Sequence, residues 1–232
     1  MGWLIAIVLV ALVGWLVWGS ASIDSGLYLK ALCRKTGDER RVAITFDDGP
    51  DPVMTPRLLE LLGRYGAKAT FFVVGAKAVE HPDLVRRIVA EGHTLGNHTL
   101  HHRGLDPLRS TAAIAADLAY AREQVEALTG RRMKLFRPPY GVTNPMIGRA
   151  VRRMGLTTIG WSVRSFDTVV ATPREEVLAR ITRRLHPGAV ILLHDRLPEA
   201  DCLLEMLLQK LENENYTAVT VDSLFEIEAY EN

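Results

Sequence analysis

With 232 residues and 48% hydrophobic content, the chain can bury one large core or two modest ones. Twenty-eight Lys and Arg against 27 Asp and Glu leave a net charge of +1, which excludes a strongly basic nucleic-acid binder. No internal repeat or low-complexity tract interrupts it.

In chain order, the first feature is a run without charged side chains from Trp3 to Trp18. It is slightly short of the roughly 20 residues that span a bilayer, and Trp3, Trp15 and Trp18 fit interfacial anchors. Residues 1–21 therefore read as a transmembrane anchor or a signal segment, 22–39 as a linker and 40–232 as the folded domain. Gly19-Ser20-Ala21 suits a cleavage site, but no Lys or Arg precedes the run. Lys30, Arg34, Lys35, Arg40 and Arg41 follow it, which by the positive-inside rule would put the domain in the cytoplasm. Cys33 and Cys202 fall at opposite ends of a strand–helix array, so no disulfide is expected.

From residue 41 the pattern alternates strand and helix. Arg41–Phe46 reads as a strand, and Thr55-Pro56 as an N-cap and first-turn proline opening a helix that ends near Gly66. Ala69–Val74 is a strand, Pro82–Glu91 a helix stopped by Gly92, and Thr94–His98 a short strand. Ser110–Thr129 is an amphipathic helix with Ile114, Leu118, Ala121, Val125 and Leu128 on one stripe. Leu135–Arg137 is a strand, Asn144-Pro145 opens a helix, and Thr157–Val163 is one strand. Thr172-Pro173-Arg174-Glu175 fits a capping box. Ala189–His194 is the most apolar strand. A helix over 198–213, a strand at Ala218–Val221 and a short last helix follow.

These are about seven strand–helix units. The strands are apolar runs, as in a parallel sheet covered on both faces. Asp47-Asp48, His98, Arg137, Asp167 and His194 all fall at or just past C-terminal strand ends. A barrel gathers those ends on one rim, so a distorted (β/α) barrel is expected rather than an open sheet.

Those rim residues carry the chemistry. Asp47 and Asp48 end a strand, where neighbours face opposite ways, so one carboxylate can bind a metal while the other moves a proton. In Gly96-Asn97-His98-Thr99-Leu100-His101-His102, His98 and His102 are spaced to share a metal if a helical turn follows the strand. Two His and one carboxylate leave positions open for water and substrate, the pattern of a catalytic metal. Arg137 in Arg137-Pro138-Pro139-Tyr140-Gly141 offers a fork for a carboxylate, in a loop stiffened by proline. Asp167 can hold His194 as an imidazolium, and Asp195 is expected outside the site.

In this order, the segments TFDDGP, HTLHH, RPPYG, Trp161–Asp167 and LLHD resemble the polysaccharide deacetylase (NodB-homology) family, carbohydrate esterase family 4, over residues 40–225. The resemblance implies a metal-dependent hydrolase acting on an acetylated glycan, with 40–232 as its catalytic domain. Asp48, His98 and His102 would bind one divalent ion, zinc first, with cobalt, nickel or manganese suited to the same ligands. Asp47 would be the general base, steadied by Arg137. His194 would be the general acid, tuned by Asp167. Tyr140, Leu192 and Trp161 would meet the substrate: an oxyanion donor, the acetyl-methyl pocket and the cleft wall. The implied reaction is N-deacetylation of a peptidoglycan- or chitin-like polymer. O-acetyl ester hydrolysis and a non-catalytic glycan-binding barrel are the alternatives. Family habit places the domain outside the cytoplasm, against the flanking charges. The chain departs from the pattern at Arg164, where the family has Asp, and at Thr168, where it has Trp.

Overall fold

Apolar strands of five to seven residues need cover on both faces, and the chain provides it with helices wrapped around a parallel sheet. The computed structural model describes residues 2–37, 39–104, 108–169 and 171–231. The first elements are α1 (Gly2–Ala21), β1 (Ala31–Leu32), β2 (Arg41–Asp47), α2 (Met54–Arg64), β3 (Ala69–Val73) and α3 (Gly75–Glu80). Then come α4 (Pro82–Ala90), β4 (Thr94–Asn97), α5 (Thr111–Thr129), β5 (Leu135–Phe136) and a single 3-10 turn at Pro139–Gly141. The chain continues through α6 (Pro145–Arg153), β6 (Thr157–Ile159), β7 (Val163–Arg164), α7 (Arg174–Thr182) and β8 (Val190–His194). It closes with α8 (Ala200–Asn213), β9 (Thr217–Ala218) and α9 (Val221–Phe225).

The strands run in the order β1-β6-β5-β4-β3-β2-β8-β7, with β9 on β2 and every pairing parallel. This is the expected distorted barrel, closed only in part. The single strand expected at Thr157–Val163 breaks in two. β6 pairs with β5 and β1, while β7, after three intervening residues, pairs with β8 at the other end of the order. The Gly160 N–H reaches the Leu32 carbonyl and the Ser162 N–H reaches that of Val190, so the chain changes partners within three residues.

Alternation along β2 sorts its side chains. Val42, Ile44 and Phe46 join the large outer core with Leu58, Leu62, Leu204 and Leu207 of α2 and α8. Ala43 faces inward with Phe72, Leu135, Ile159 and Val190, and Val221 and Leu224 of α9 close off the end of this inner core. Thr45 and Asp47 continue the inward column toward the rim, so the polar site is the top layer of the barrel's own interior.

Some local expectations fail for identifiable reasons. Thr55 is not an N-cap: α2 starts at Met54, and the Asp51 carboxylate accepts from the N–H groups of Val53 and Met54. The capping box at Thr172 does not form, because α7 starts after Pro173 without a side-chain cap. Asn144 does cap α6, accepting from the Ile147 N–H. Only Thr217 and Ala218 make the last strand, and α9 takes over at Val221. Helix α3 went unforeseen, because six residues starting at Gly75 carry little periodic signal. The expected linker is packed: β1 pairs with β6, and Ile23, Leu29 and Cys33 are buried. Cys33 and Cys202 are both free thiols, as expected.

Helix α1 is long and apolar enough to cross a membrane by length and composition. Its last turn is fastened to the barrel. Thr143 donates through its hydroxyl to the Gly19 carbonyl and through its N–H to that of Ser20, while the Ser25 hydroxyl also donates to Gly19.

Gly188 has φ +76°, and a Cβ there would overlap the Lys35 carbonyl oxygen. Left-handed backbone alone costs a residue with a side chain about 1–2 kcal/mol. Gly188→Ala is therefore expected to lower unfolding free energy by more than about 2 kcal/mol. Urea melts read this, and an unchanged midpoint would contradict the packing described.

Candidate functional site

Parallel pairing sets Asp47 of β2 directly beside His194 of β8, both pointing inward at the rim. Asp48 would face outward if the strand continued. Instead it takes φ +75°, a left-handed conformation that Asp tolerates better than most residues, and its carboxylate turns back toward the cleft. The two carboxylates thus face the same cleft, and the expected division between opposite faces does not occur. It is the left-handed residue that lets adjacent positions serve one site.

His98 follows β4. Its Nδ1 lies 2.7 Å from the Arg137 carbonyl oxygen, an obligate acceptor, so Nδ1 carries the proton and Nε2 presents a lone pair. That Nε2 is 3.5 Å from Asp48 Oδ1 and 3.8 Å from Asp47 Oδ2. His102 Nε2 is 3.3 Å from the same Asp48 oxygen. No helical turn brings the histidines together. Thr99 and His102 both have positive φ, the Asn97 carboxamide oxygen accepts from the Thr99 N–H, and the Thr99 hydroxyl accepts from the His102 N–H. The Tyr140 ring packs on His102 with centroids 4.7 Å apart.

One ligand atom each from Asp48, His98 and His102 lies within 4.8 Å of the others. Two imidazole nitrogens and a carboxylate fit a divalent cation, and the carbonyl behind His98 Nδ1 is the usual second-layer support for such a ligand. Burial alone would raise the Asp48 carboxyl. Its hydrogen bond and charge interaction with His98, helped by Arg196 and His102, hold it well below the usual carboxylate range. Burial and the neighbouring His98 pull the His102 imidazole down, which favours the neutral form a metal needs.

Arg137 has no exposed surface. Its Nη1 donates to Asp47 Oδ1 and to the Thr45 hydroxyl, each at 2.7 Å. Its Nε and Nη2 donate to the carbonyls of Ile159 and Gly160 at 3.2 and 2.9 Å. The expected two-pronged grip on one carboxylate is absent; the fork is shared between β2 and the β6–β7 break. Phe72 lies under the guanidinium at 4.1 Å. Burial pulls the guanidinium pKa down and Asp47 opposes that shift.

Asp167 is buried. Its Oδ1 accepts from His194 Nδ1 at 2.9 Å and from the Ser165 hydroxyl, and its Oδ2 accepts from the His194 N–H at 2.8 Å. Burial would lower the imidazole pKa, but the Asp167 hydrogen bond and charge outweigh it and the net shift is upward. The ring keeps Nε2 for the cleft. Leu192 and half-buried Trp161 line the same cleft of about 490 Å³.

All ten residues singled out from the sequence line this cleft or, for Arg137, lie directly beneath its Asp47. His101 lines it too but stands outside the Asp48 cluster. Asp195 is fully buried beneath Gly49 and bonds the Thr55 hydroxyl, with no salt bridge among the described residues. Burial pushes its carboxyl up to about 7. Sequence reasoning missed Arg196, whose Nε lies 2.7 Å from Asp48 Oδ2, and Lys77, whose Nζ donates to the Asp48 carbonyl. Arg196 had a usable signal, a cation two residues past a rim histidine; Lys77, at the start of an unforeseen helix, had none.

A carboxylate–histidine–histidine cluster, a carboxylate on a buried guanidinium and a carboxylate-held imidazole thus converge on one barrel rim. The family model described as polysaccharide deacetylase matches residues 34–159, and the chain belongs to that family. It is 35% identical over 194 residues to the peptidoglycan-N-acetylglucosamine deacetylase PgdA of Listeria monocytogenes, covering 82% of this chain and 40% of that protein. The chain thus spans well under half of that relative. It is 34% identical to the peptidoglycan-N-acetylglucosamine deacetylase of Bacillus cereus, covering 81% of this chain and 89% of that one. Among solved structures, the Bc1960 peptidoglycan N-acetylglucosamine deacetylase superposes with a TM-score of 0.79 at 29% identity, covering 86% of this chain and 94% of that one.

Two predictions rest on this geometry. Arg137→Met strands a buried carboxylate and is expected to cost about 3–5 kcal/mol in denaturant melts. Adding Asp47→Asn should recover part of that loss; a purely additive double variant would show that the pair is not coupled. Separately, the His194 imidazole should titrate above an ordinary histidine in metal-free protein, and Asp167→Asn should lower it. A raised folded-state pKa stabilises the protein fully below the unfolded value, and that stability is lost as pH rises through the folded value. NMR titration reads both; an unshifted imidazole in the Asp167 variant would count against the assignment.

Proposed function

We propose that the chain is a divalent-metal-dependent hydrolase that removes N-acetyl groups from an amino-sugar polymer or oligosaccharide of the peptidoglycan or chitin type. The observation that carries this reading is the convergence of the Asp48–His98–His102 cluster, the Arg137-held Asp47 and the Asp167-held His194 on one cleft. Membership of the polysaccharide deacetylase family supports it.

Asp48, His98 and His102 would hold the ion, with zinc the first candidate and cobalt, nickel and manganese compatible with the ligands. When bound, it would polarise the acetyl carbonyl and acidify a water molecule beside it. Asp47 takes a proton from the attacking water, and Arg137 fixes the direction of its carboxylate. The Tyr140 N–H, presented by a residue at φ 59°, is the donor assigned to the developing oxyanion. Leu192 receives the acetyl methyl group, and Trp161 forms the adjoining wall. His194 gives its Nε2 proton to the departing sugar nitrogen, while Asp167 balances the imidazolium. Water adds to the amide carbon, the C–N bond breaks, and acetate and a free amine leave.

Helix α1 would carry this domain on a membrane, outside the cytoplasm, where acetylated polymers are met. The five cations that follow α1 weigh against that side.

Acetate release from chito-oligosaccharides and peptidoglycan fragments by the full chain in detergent tests the reading. Release should vanish with a chelator and return with zinc or cobalt. Asp47→Asn should lower kcat at least about a hundredfold. His194→Ala should cost more on amides than on acetyl esters, since an alkoxide leaves with less help from an acid. A rate indifferent to chelation would overturn the metal role, and full activity in Asp47→Asn the general-base role.

A further inference from the structure

We infer that Arg164 recognises a carboxylate on the substrate, so that the preferred glycan is an acidic one. This rests on the deacetylase reading and adds the substrate class.

Arg164 belongs to β7, where its register partner is Leu192, two residues before His194 on β8. Paired residues on neighbouring strands face the same way, so Arg164 and Leu192 both line the cleft, while Val163 is buried among the outer helices. The guanidinium stands at the rim and is exposed.

The other cationic groups on this rim have acceptors. Arg196 holds Asp48, Lys77 holds the Asp48 carbonyl and His194 holds Asp167, while Arg137 holds Asp47 from below. The three rim carboxylates are thereby engaged. Arg164 has no ion pair among the described residues. It adds a positive charge to a wall that already has Arg196 and an imidazole with a raised pKa. Like charges gathered on one wall repel one another, and an anion bound among them relieves that repulsion.

The side chain is also held in place. Its Cζ lies 5.8 Å from the Trp161 ring centroid and 4.6 Å from that of Phe166. Contact with ring faces leaves the in-plane N–H groups of a guanidinium available, the geometry that grips a carboxylate. Phe166 itself has φ 56°, which is costly for a bulky aromatic residue. Arg180 keeps it there, with its Cζ 5.5 Å from the Phe166 ring and its Nη1 donating to the Ser165 carbonyl at 2.9 Å. Backbone strain and two cation–π contacts thus position a cation that has no anion of its own. The matching ligand is an acetamido sugar with a carboxylate on it, as a lactyl ether, or on its immediate neighbour, as a uronic acid.

The test uses the full chain loaded with zinc. Its probes are a tetrasaccharide of alternating N-acetylglucosamine and N-acetylmuramic acid with free lactyl carboxylates, the methyl ester of that tetrasaccharide, and an oligomer alternating N-acetylglucosamine with a uronic acid. Both kcat/KM for acetate release and binding by calorimetry are measured. Wild type should favour a free acid over the ester by about tenfold or more, and the preference should shrink with added salt. Arg164→Gln should bring that ratio close to one, and Arg164→Lys should keep part of it. The acid oligomer that shows the preference identifies the source of the carboxylate. Equal handling of acid and ester by wild type, or a preference that survives Arg164→Gln, overturns the inference. If no probe releases acetate, the deacetylase reading fails, and the calorimetric ratio still decides whether Arg164 binds a carboxylate.

Discussion

A guanidinium with no exposed surface has to find its acceptors inside the protein, and Arg137 engages all three of its nitrogens by binding parts of the barrel that no backbone ladder joins. It extends from the end of β5, pairs with Asp47 and Thr45 on β2, and caps the carbonyls of Ile159 and Gly160 where the chain leaves β6 for β7. Those two carbonyls sit at the switch in strand partners, where the parallel ladder cannot serve them. One buried cation therefore closes a gap in the sheet and fixes a catalytic carboxylate candidate. A buried ion pair is weak evidence for stability, since desolvation offsets much of its Coulomb gain. Its value here is in direction: with Oδ1 of Asp47 held from below, Oδ2 is the oxygen turned toward His98.

The same fixing of direction recurs around the rim. The Arg137 carbonyl sets the His98 tautomer, so the residue that orients Asp47 with its side chain also orients a metal-ligand candidate with its backbone. Asn97, fully buried, donates to the Leu118 carbonyl and accepts from the Thr99 N–H, which tightens the loop that delivers His102. Asp167 grips both the ring and the backbone N–H of His194. Asp47, His98 and His194 are thus each held by a partner behind them, which is what a preorganised site requires.

Much of this was legible in the sequence, because apolar runs, prolines and glycines act locally. The strands at Arg41, Ala69, Thr94, Leu135 and Ala189 and the order of the rim motifs follow from burial on both faces. What failed depended on conformation or on partners remote in the chain. The carboxylates of Asp47 and Asp48 converge because Asp48 adopts a left-handed conformation that alternation cannot foresee. The histidines converge through side-chain bonds of Asn97 and Thr99, without the helical turn that their spacing invites. The guanidinium divides its donors because two carbonyls 22 and 23 residues away need them. Thr55, expected as a cap, instead accepts from the Asp51 N–H and donates to Asp195, a partner 140 residues on.

The segment expected to be a linker changes how the apolar helix relates to the cleft. A tether would leave the two free to move independently. Here β1 extends the sheet beside β6, Ile23 and Leu29 are buried, and the last turn of α1 bonds to Thr143. Thr143 lies two residues beyond Gly141, and Gly141 lines the cleft beside Trp161. The path from the helix end to the cleft wall is therefore short: two hydrogen bonds to Thr143 and two residues of chain. If α1 is seated in a bilayer, the opening of the cleft is held at a set height above its surface, and the reach of the site follows from this packing rather than from the slack of a flexible chain.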